Sequence, residues 1–237
     1  MRTQTHDTIH VQERTANQVA NQLKRQRSKP PSLKRPLPKL AEHPTILIVC
    51  EGKNTEPSYF RKFRLSSATI KIASSGHSTS GLVKQAIKMA AQQKYQQVWC
   101  VFDKDNFPSQ DFNDAIKLAQ KNNFGVAWSN QAFEYWLILH FADHQGNRMS
   151  RKDYHSVINN YIRYLGTTFN GKDDKQITDD LFDLLTGIDP ATKRNRTTLA
   201  ISRAKRNLQS LIHLSPAEQE SSTTVFRLVE EILKYVQ

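Results

Sequence analysis

Three carboxylates stand directly after apolar runs in this sequence. Glu51 follows the run 45–50, and Asp103 and Asp105 follow the run 98–102. Hard divalent cations such as Mg²⁺ or Mn²⁺ prefer oxygen ligands of this kind. Three acids at the ends of predicted strands, in a chain of net charge +12, therefore indicate a metal-dependent site that acts on phosphodiesters.

The spacing of these acids suits a shared metal site. Asp103 and Asp105 are two residues apart, and side chains two apart in a strand point to the same side. They can converge on one ion, while Glu51 completes the pocket or acts as a general base. Two ions about 4 Å apart would stabilise both the attacking and the leaving oxygen in phosphodiester cleavage. The alternative is three ordinary loop carboxylates, because acids often end strands.

The segment 129–141 adds polar groups around an aromatic helix. Glu134 falls in the first turn after a predicted strand. It is either a ligand for a second metal ion or an acid favoured by the helix dipole. Asn130 is predicted to contact the metal ligands rather than the metal itself. His140 is predicted either to do the same or to be a core histidine, and not to act as a catalytic base.

The Gly52-Lys53 pair resembles the end of a phosphate-binding loop, but the rest of that motif is missing. Its first glycine would fall at Leu47, and Asn54 stands where Ser or Thr is needed. Lys53 is predicted to steady a phosphate or to be solvated.

Strand-like runs alternate with helical patterns between residues 45 and 140, which predicts βαβ units and a mostly parallel sheet flanked by helices. Functional groups gather at the carboxyl ends of such strands. The first helix is expected to begin at Glu56 with Thr55 as its cap. The predicted strands cover 45–50, 68–73, 98–102 and 124–128, and the predicted helices cover 56–64, 82–93, 112–122, 132–140, 152–164, 177–185, 197–212 and 223–235.

Composition divides the chain into a basic arm (1–43), an α/β core (44–150) and a helical C-terminal extension (151–237). Residues 1–44 hold nine Lys or Arg against three acids, a net charge of +6. The longest apolar run has five residues, and the start of the chain has no apolar segment, so we expect no membrane helix and no signal peptide. Cys50 and Cys100 fall inside predicted strands, as core thiols of a cytoplasmic protein do.

A second basic cluster lies late in the chain, where no acid occurs between Asp189 and Glu218. Basic patches release counterions when they meet polyphosphates, so DNA or RNA is the expected partner. A merely solubilising surface is the alternative. The residues predicted to bind nucleic acid, together with Lys53, are Lys193, Arg194, Arg196, Arg203 and Arg206.

Three motifs together resemble the RloB family of restriction-linked and abortive-infection (AbiLii-type) proteins. They are the segments 50–60, 101–105 and 129–141, and the similarity extends in order over about residues 44–235. The resemblance implies a Toprim-like fold, in which one Glu after the first strand and an Asp-x-Asp after a later strand bind Mg²⁺. Glu51 matches the first position, and Glu134 matches the acid of a Phe-Glu-x-Trp motif.

The resemblance further implies anti-phage defence together with a partner ATPase of the AAA or ABC type. The expected function is metal-dependent cleavage of nucleic acid, with Glu51, Asp103, Asp105 and Glu134 as metal-binding, catalytic residues. The alternatives are a non-catalytic subunit that senses nucleic acid or a phosphorylated signal, and a structural subunit with a degenerate site. The sequence leaves open whether the protein forms a homo-oligomer.

Removing residues 1–43 is expected to weaken nucleic-acid binding without changing sequence preference, because the arm supplies charge rather than base contacts. The slope of log affinity against log salt concentration should become flatter. An unchanged slope would mean that the arm serves a protein partner instead.

Overall fold

The structure is a computed structural model that describes residues 44–65, 69–74, 79–144 and 149–236. The basic arm predicted over 1–43 lies outside the described residues, and its conformation stays a prediction.

A five-stranded sheet forms the centre of the described part of the chain. The strand order is β2-β1-β3-β4-β5, and all neighbours are parallel except β4 and β5. The predicted α/β class with a mostly parallel sheet is therefore confirmed. The strands are β1 (Thr45–Cys50), β2 (Thr69–Ser74), β3 (Gln97–Asp103), β4 (Gly125–Asn130) and β5 (Ser222–Thr223).

The antiparallel strand β5 is missing from the sequence prediction, because two polar residues carry no apolar alternation. Buried hydroxyls hold it against β4. The Thr224 hydroxyl accepts a hydrogen bond from Trp128 N at 2.9 Å, and the hydroxyl oxygens of Ser129 and Thr223 lie 3.0 Å apart. These contacts fix the last helix to the sheet.

The described residues form eight α-helices, and each predicted helix is present with its ends shifted by a few residues. Thr55 is the first residue of its helix and not the cap, and no side chain caps that helix. The helices are α1 (Thr55–Arg61), α2 (Thr79–Gln92), α3 (Ser109–Lys121), α4 (Glu134–Leu139), α5 (Tyr154–Ile162), α6 (Asp179–Thr186), α7 (Arg196–Ser210) and α8 (Val225–Leu233).

Side chains of the central strands alternate between two helical layers. On β1, Leu47 and Val49 pack with α2 and α3, whereas Ile46, Ile48 and Cys50 pack on the other face with α1 and the helices from α4 onward. Burying one such side chain contributes roughly 1.5–3 kcal/mol. The C-terminal extension is helical as predicted, and it shares the core of the sheet.

Cys50 and Cys100 are buried free thiols, which agrees with their predicted place in core strands. Among the described residues, no helix combines the length and the apolar character needed to cross a membrane.

Candidate active site

Glu51 and Asp103 meet where the two central strands end. Because β1 and β3 are parallel neighbours, their carboxyl ends lie side by side. Glu51 N donates a hydrogen bond to Val101 O at 2.9 Å. The Glu51 carboxylate (Oε2) in turn accepts one from Asp103 N at 3.2 Å. Two of the predicted metal ligands are therefore adjacent.

Two further carboxylates, Glu56 and Glu134, enter from the first turns of α1 and α4, and both are buried. A helix N-terminus favours negative charge. Glu56 Oε1 also accepts a hydrogen bond from Gly52 N at 3.2 Å. A Cβ at position 52 would lie 2.2 Å from Glu56 Oε2, so Gly52 leaves the space that this carboxylate occupies.

These side chains line one cavity of about 250 Å³ at the carboxyl edge of the sheet. All four residues predicted to be catalytic contribute to its wall. Three cationic residues, Lys53, Arg151 and Lys175, also line it. The five carboxylate residues of the wall are Glu51, Glu56, Asp103, Asp105 and Glu134.

Crowding and burial perturb the titration of these acids. Burial, with the charges of Glu134 and Glu51, raises the pKa of Glu56 to about 7. Burial and the charges of Glu56 and Glu134 raise the pKa of Asp103 well above its usual range. Burial is also the main cause that raises the pKa of Glu51. The cavity therefore retains protons near neutral pH unless a cation neutralises it.

Arg151 supplies one such cation by forming an ion pair with Asp105. Asp105 lies beyond the end of β3 with a φ of 42°, in the left-handed region that Asp tolerates better than most residues. Burial lowers the pKa of Arg151, but the neighbouring carboxylates, Asp103 and Asp105 foremost, outweigh that effect and raise it. Asp103 and Asp105 thus both line the cavity, but only Asp103 belongs to β3, so the prediction that they are two positions of one strand is wrong.

A divalent cation needs several oxygen ligands that lie close together. In the described part of the chain, no three His, Cys, Asp or Glu side chains form a ready metal-binding group. The residues that line the cavity nevertheless suit a hard cation. Five of them carry carboxylate oxygens, and a positive charge would relieve the repulsion between these carboxylates.

Asn130 and His140 lie outside the cavity wall. The Asn130 amide donates hydrogen bonds to the carbonyls of Pro216 and Ala217, at 3.3 and 3.0 Å. It therefore anchors a surface turn and does not support the carboxylates directly. His140 is buried, and its Nδ1 lies 2.9 Å from Trp136 O. Burial lowers the pKa of His140 to about 3, as in the core-histidine alternative.

Four of the six residues predicted to bind nucleic acid are exposed, and three of these form no ion pair with another described residue. Lys53 is on the cavity rim, and Lys193 and Arg194 lie in the loop before α7.

The other three are engaged within the protein. Arg196 is buried and donates to Leu184 O at 3.1 Å, which corrects the expectation that it lies on a nucleic-acid-binding surface. Arg203 donates to a backbone carbonyl at the end of α4 at 2.7 Å. Arg206 pairs with Asp143. The basic cluster is thus partly structural, because α7 uses its arginines to hold neighbouring segments.

Three charged residues of the cavity were not predicted from sequence as members of the site. The sequence did contain a signal for Glu56. It is an acid in the first turn of a helix, and that helix follows a strand that is itself followed by an acid, Glu51. Arg151 and Lys175 carried none, because they come from turns far along the chain.

Fold and site together define an α/β protein with an acidic cavity at the carboxyl edge of parallel strands. The chain belongs to the RloB-like protein family, whose model matches residues 46–232. No curated protein and no solved structure matches the chain with significance.

Glu56→Gln should stabilise the protein at neutral and higher pH. Between about pH 4.5 and 7 the folded protein keeps a proton on Glu56 that the unfolded chain has lost. The free energy of unfolding therefore falls as pH rises through this window. The amide removes that fall while its oxygen can still accept from Gly52 N, so the gain over wild type should reach on the order of 3 kcal/mol above pH 7.

Urea unfolding between pH 5 and 8 measures this gain. The matched control is Asp173→Asn, at an exposed position outside the cavity wall. A gain that does not grow with pH would contradict the assigned pKa of Glu56.

Proposed function

We propose that this protein is a nuclease with a Toprim-like site that cleaves phosphodiesters with the help of Mg²⁺ or Mn²⁺. One observation carries the proposal: five carboxylates converge on a single small cavity where parallel strands end. Burying such a group of like charges is costly unless a cation compensates them. Divalent cations in sites that cleave phosphodiesters are bound by carboxylates of this kind.

Glu51, Asp103, Asp105 and Glu134 would hold the cation. When bound, it neutralises charge on the transferring phosphoryl group and lowers the pKa of water. Glu56 has a pKa of about 7 and so can accept or release a proton at its carboxylate near neutral pH.

The cationic side chains of the cavity have a separate role toward the substrate. Lys53 and Lys175 offset the negative charge of an entering phosphate. The planar guanidinium of Arg151 can donate two parallel hydrogen bonds to phosphate oxygens, a geometry that guanidinium groups also use toward carboxylates.

A second candidate is a non-catalytic subunit that senses nucleic acid or a phosphorylated signal. The pairing of Arg151 with Asp105 favours it, because this pairing leaves one acid already compensated. The absence of a ready three-ligand group among the described residues favours it as well. Under either candidate, the role in anti-phage defence and the partner ATPase are inferred from family membership.

The deciding experiment incubates the purified protein with panels of DNA, RNA and tRNA. Each panel is run with Mg²⁺, Mn²⁺ or EDTA, alone and with a candidate partner ATPase of the AAA or ABC type. Cleavage that requires the metal supports the nuclease. Binding without cleavage in every arm supports the sensing subunit.

Asp103→Asn is expected to abolish cleavage and phage protection while the protein stays folded. The amide keeps the shape of a side chain that is 7% exposed but removes a metal-ligand charge. Because burial and like charges raise the pKa of Asp103, the free energy of unfolding at pH 8 should be unchanged or higher. Gel-based cleavage assays and urea unfolding measure the two effects.

The matched control for this substitution is Asp111→Asn, at an exposed position of α3. It should leave cleavage unchanged. Full protection by a folded Asp103→Asn protein would instead support the sensing subunit.

Arg151→Gln is expected to tighten Mg²⁺ binding severalfold, because the guanidinium no longer competes for Asp105. Cleavage should fall at the same time, since a phosphate-binding cation is lost. Isothermal titration with MgCl₂, in the absence of substrate, measures the affinity. Arg163→Gln, at an exposed position, is the control. Equal Mg²⁺ affinity in wild type and Arg151→Gln would overturn the competition.

A further inference from the structure

A larger cleft of about 1130 Å³ lies next to the acidic cavity, and although the two have no lining residue in common, the same helix and the same later segment line both. The first turn of α1 lines the cavity, whereas Ser58 and the end of the same helix line the cleft. The facing segment is shared in the same way, since Lys175 lines the cavity and Ile177 the cleft. Ile177 N donates a hydrogen bond to the Ser58 hydroxyl at 2.9 Å, which ties the helix to that segment.

Cations from the end of α1 and the residues after it line this cleft. Lys62 pairs with Asp179 across it. Arg61 and Arg64 are exposed, and neither forms an ion pair with another described residue. Their charges are therefore available to a ligand.

More positive charge lies at another part of the same cleft. Asn195 is one of its lining residues, and it directly follows the exposed pair Lys193 and Arg194. Lys193 and Arg194, two exposed members of the predicted basic cluster, therefore adjoin the cleft.

Aromatic surface accompanies these cations. Phe63 and Phe182 line the cleft, are partly exposed and pack edge to face with ring centroids 5.1 Å apart. Proteins bind single-stranded nucleic acids by combining two features. Cations contact the phosphate backbone, and bases stack on neighbouring aromatic rings.

We propose that this cleft binds a single strand of nucleic acid that continues from the acidic cavity. Arg61 and Arg64 contact its phosphates, and Phe63 with Phe182 provides a surface for its bases. The inference rests on the proposed function, which it extends by naming the substrate as single-stranded and by giving the path of the strand.

Charge favours a polyanion as the occupant of the cleft. The residues that line it include three cations, Arg61, Lys62 and Arg64, and two acids, Asp179 and Asp183, which gives a net charge of +1. The exposed Lys193 and Arg194 add further positive charge beside it.

The test measures binding rather than cleavage. Fluorescein-labelled single-stranded RNA and DNA, and a duplex of the same sequence, are titrated with full-length protein in EDTA, and anisotropy is recorded over a range of salt concentrations. The variant is Arg61→Gln/Arg64→Gln. The matched control is Arg163→Gln/Arg227→Gln, which removes the same charge at two exposed positions that do not line the cleft.

Single strands should bind wild type more tightly than the duplex, and the RNA and DNA arms report which strand is preferred. The cleft variant should lose about tenfold in affinity, and its slope of log affinity against log salt should be smaller by about 1.4, as expected for two lost phosphate contacts on a single strand. The control should lose less than threefold. Equal losses in both variants, or no loss in the cleft variant, would overturn the proposal.

Both double variants are checked for wild-type thermal unfolding, and Arg64→Gln alone provides a milder substitution. Failure of this proposal is distinguishable from failure of the proposed function. If cleavage depends on the metal but binding does not depend on Arg61 and Arg64, only the proposal for the cleft is overturned. Arginine-dependent binding without any cleavage supports the cleft and contradicts the nuclease.

Discussion

Five carboxylates must share one cavity of about 250 Å³ without their repulsion unfolding the protein. An unpaired buried charge costs several kcal/mol, so each acid needs a compensating group. Glu51 accepts a hydrogen bond from the backbone of Asp103. Glu56 and Glu134 lie at helix starts, and Arg151 adds a full positive charge. Burial, together with the repulsion that this compensation leaves, raises the pKa values of Glu56 and Asp103.

The requirement for compensation explains how the two parts of the chain depend on each other. The acids come from the strands and helices before residue 140, whereas Arg151 and Lys175 come from the turns of the C-terminal extension. The extension also buries one face of the sheet. Loss of its packing would thus remove apolar contacts and positive charge together, so the site and the core are coupled in stability.

The sequence was sufficient for the features that follow from local pattern. The run before Glu51 and the run before Asp103 predicted parallel strands and placed both acids at one edge. Glu134 was predicted in a helix start and is found there. Burial of Arg196 could not be predicted, because the sequence pattern of a basic helix is the same whether its charges face solvent or backbone carbonyls. The pairing of Asp105 with Arg151 depends on tertiary structure between residues 46 positions apart.

The short strand β5 has a consequence for how copies of this protein could associate. By pairing with β4 it occupies hydrogen-bonding groups that would otherwise be open at that edge of the sheet. The edges of the described sheet are then β2 and the two-residue β5, and because both residues of β5 are fully buried, β2 is the edge that another chain could extend. There the exposed Lys71 places a charge on the strand, a feature that discourages edge-to-edge pairing in natural sheets. The sheet is thus protected at both ends, by a covering strand at one and by a charge at the other.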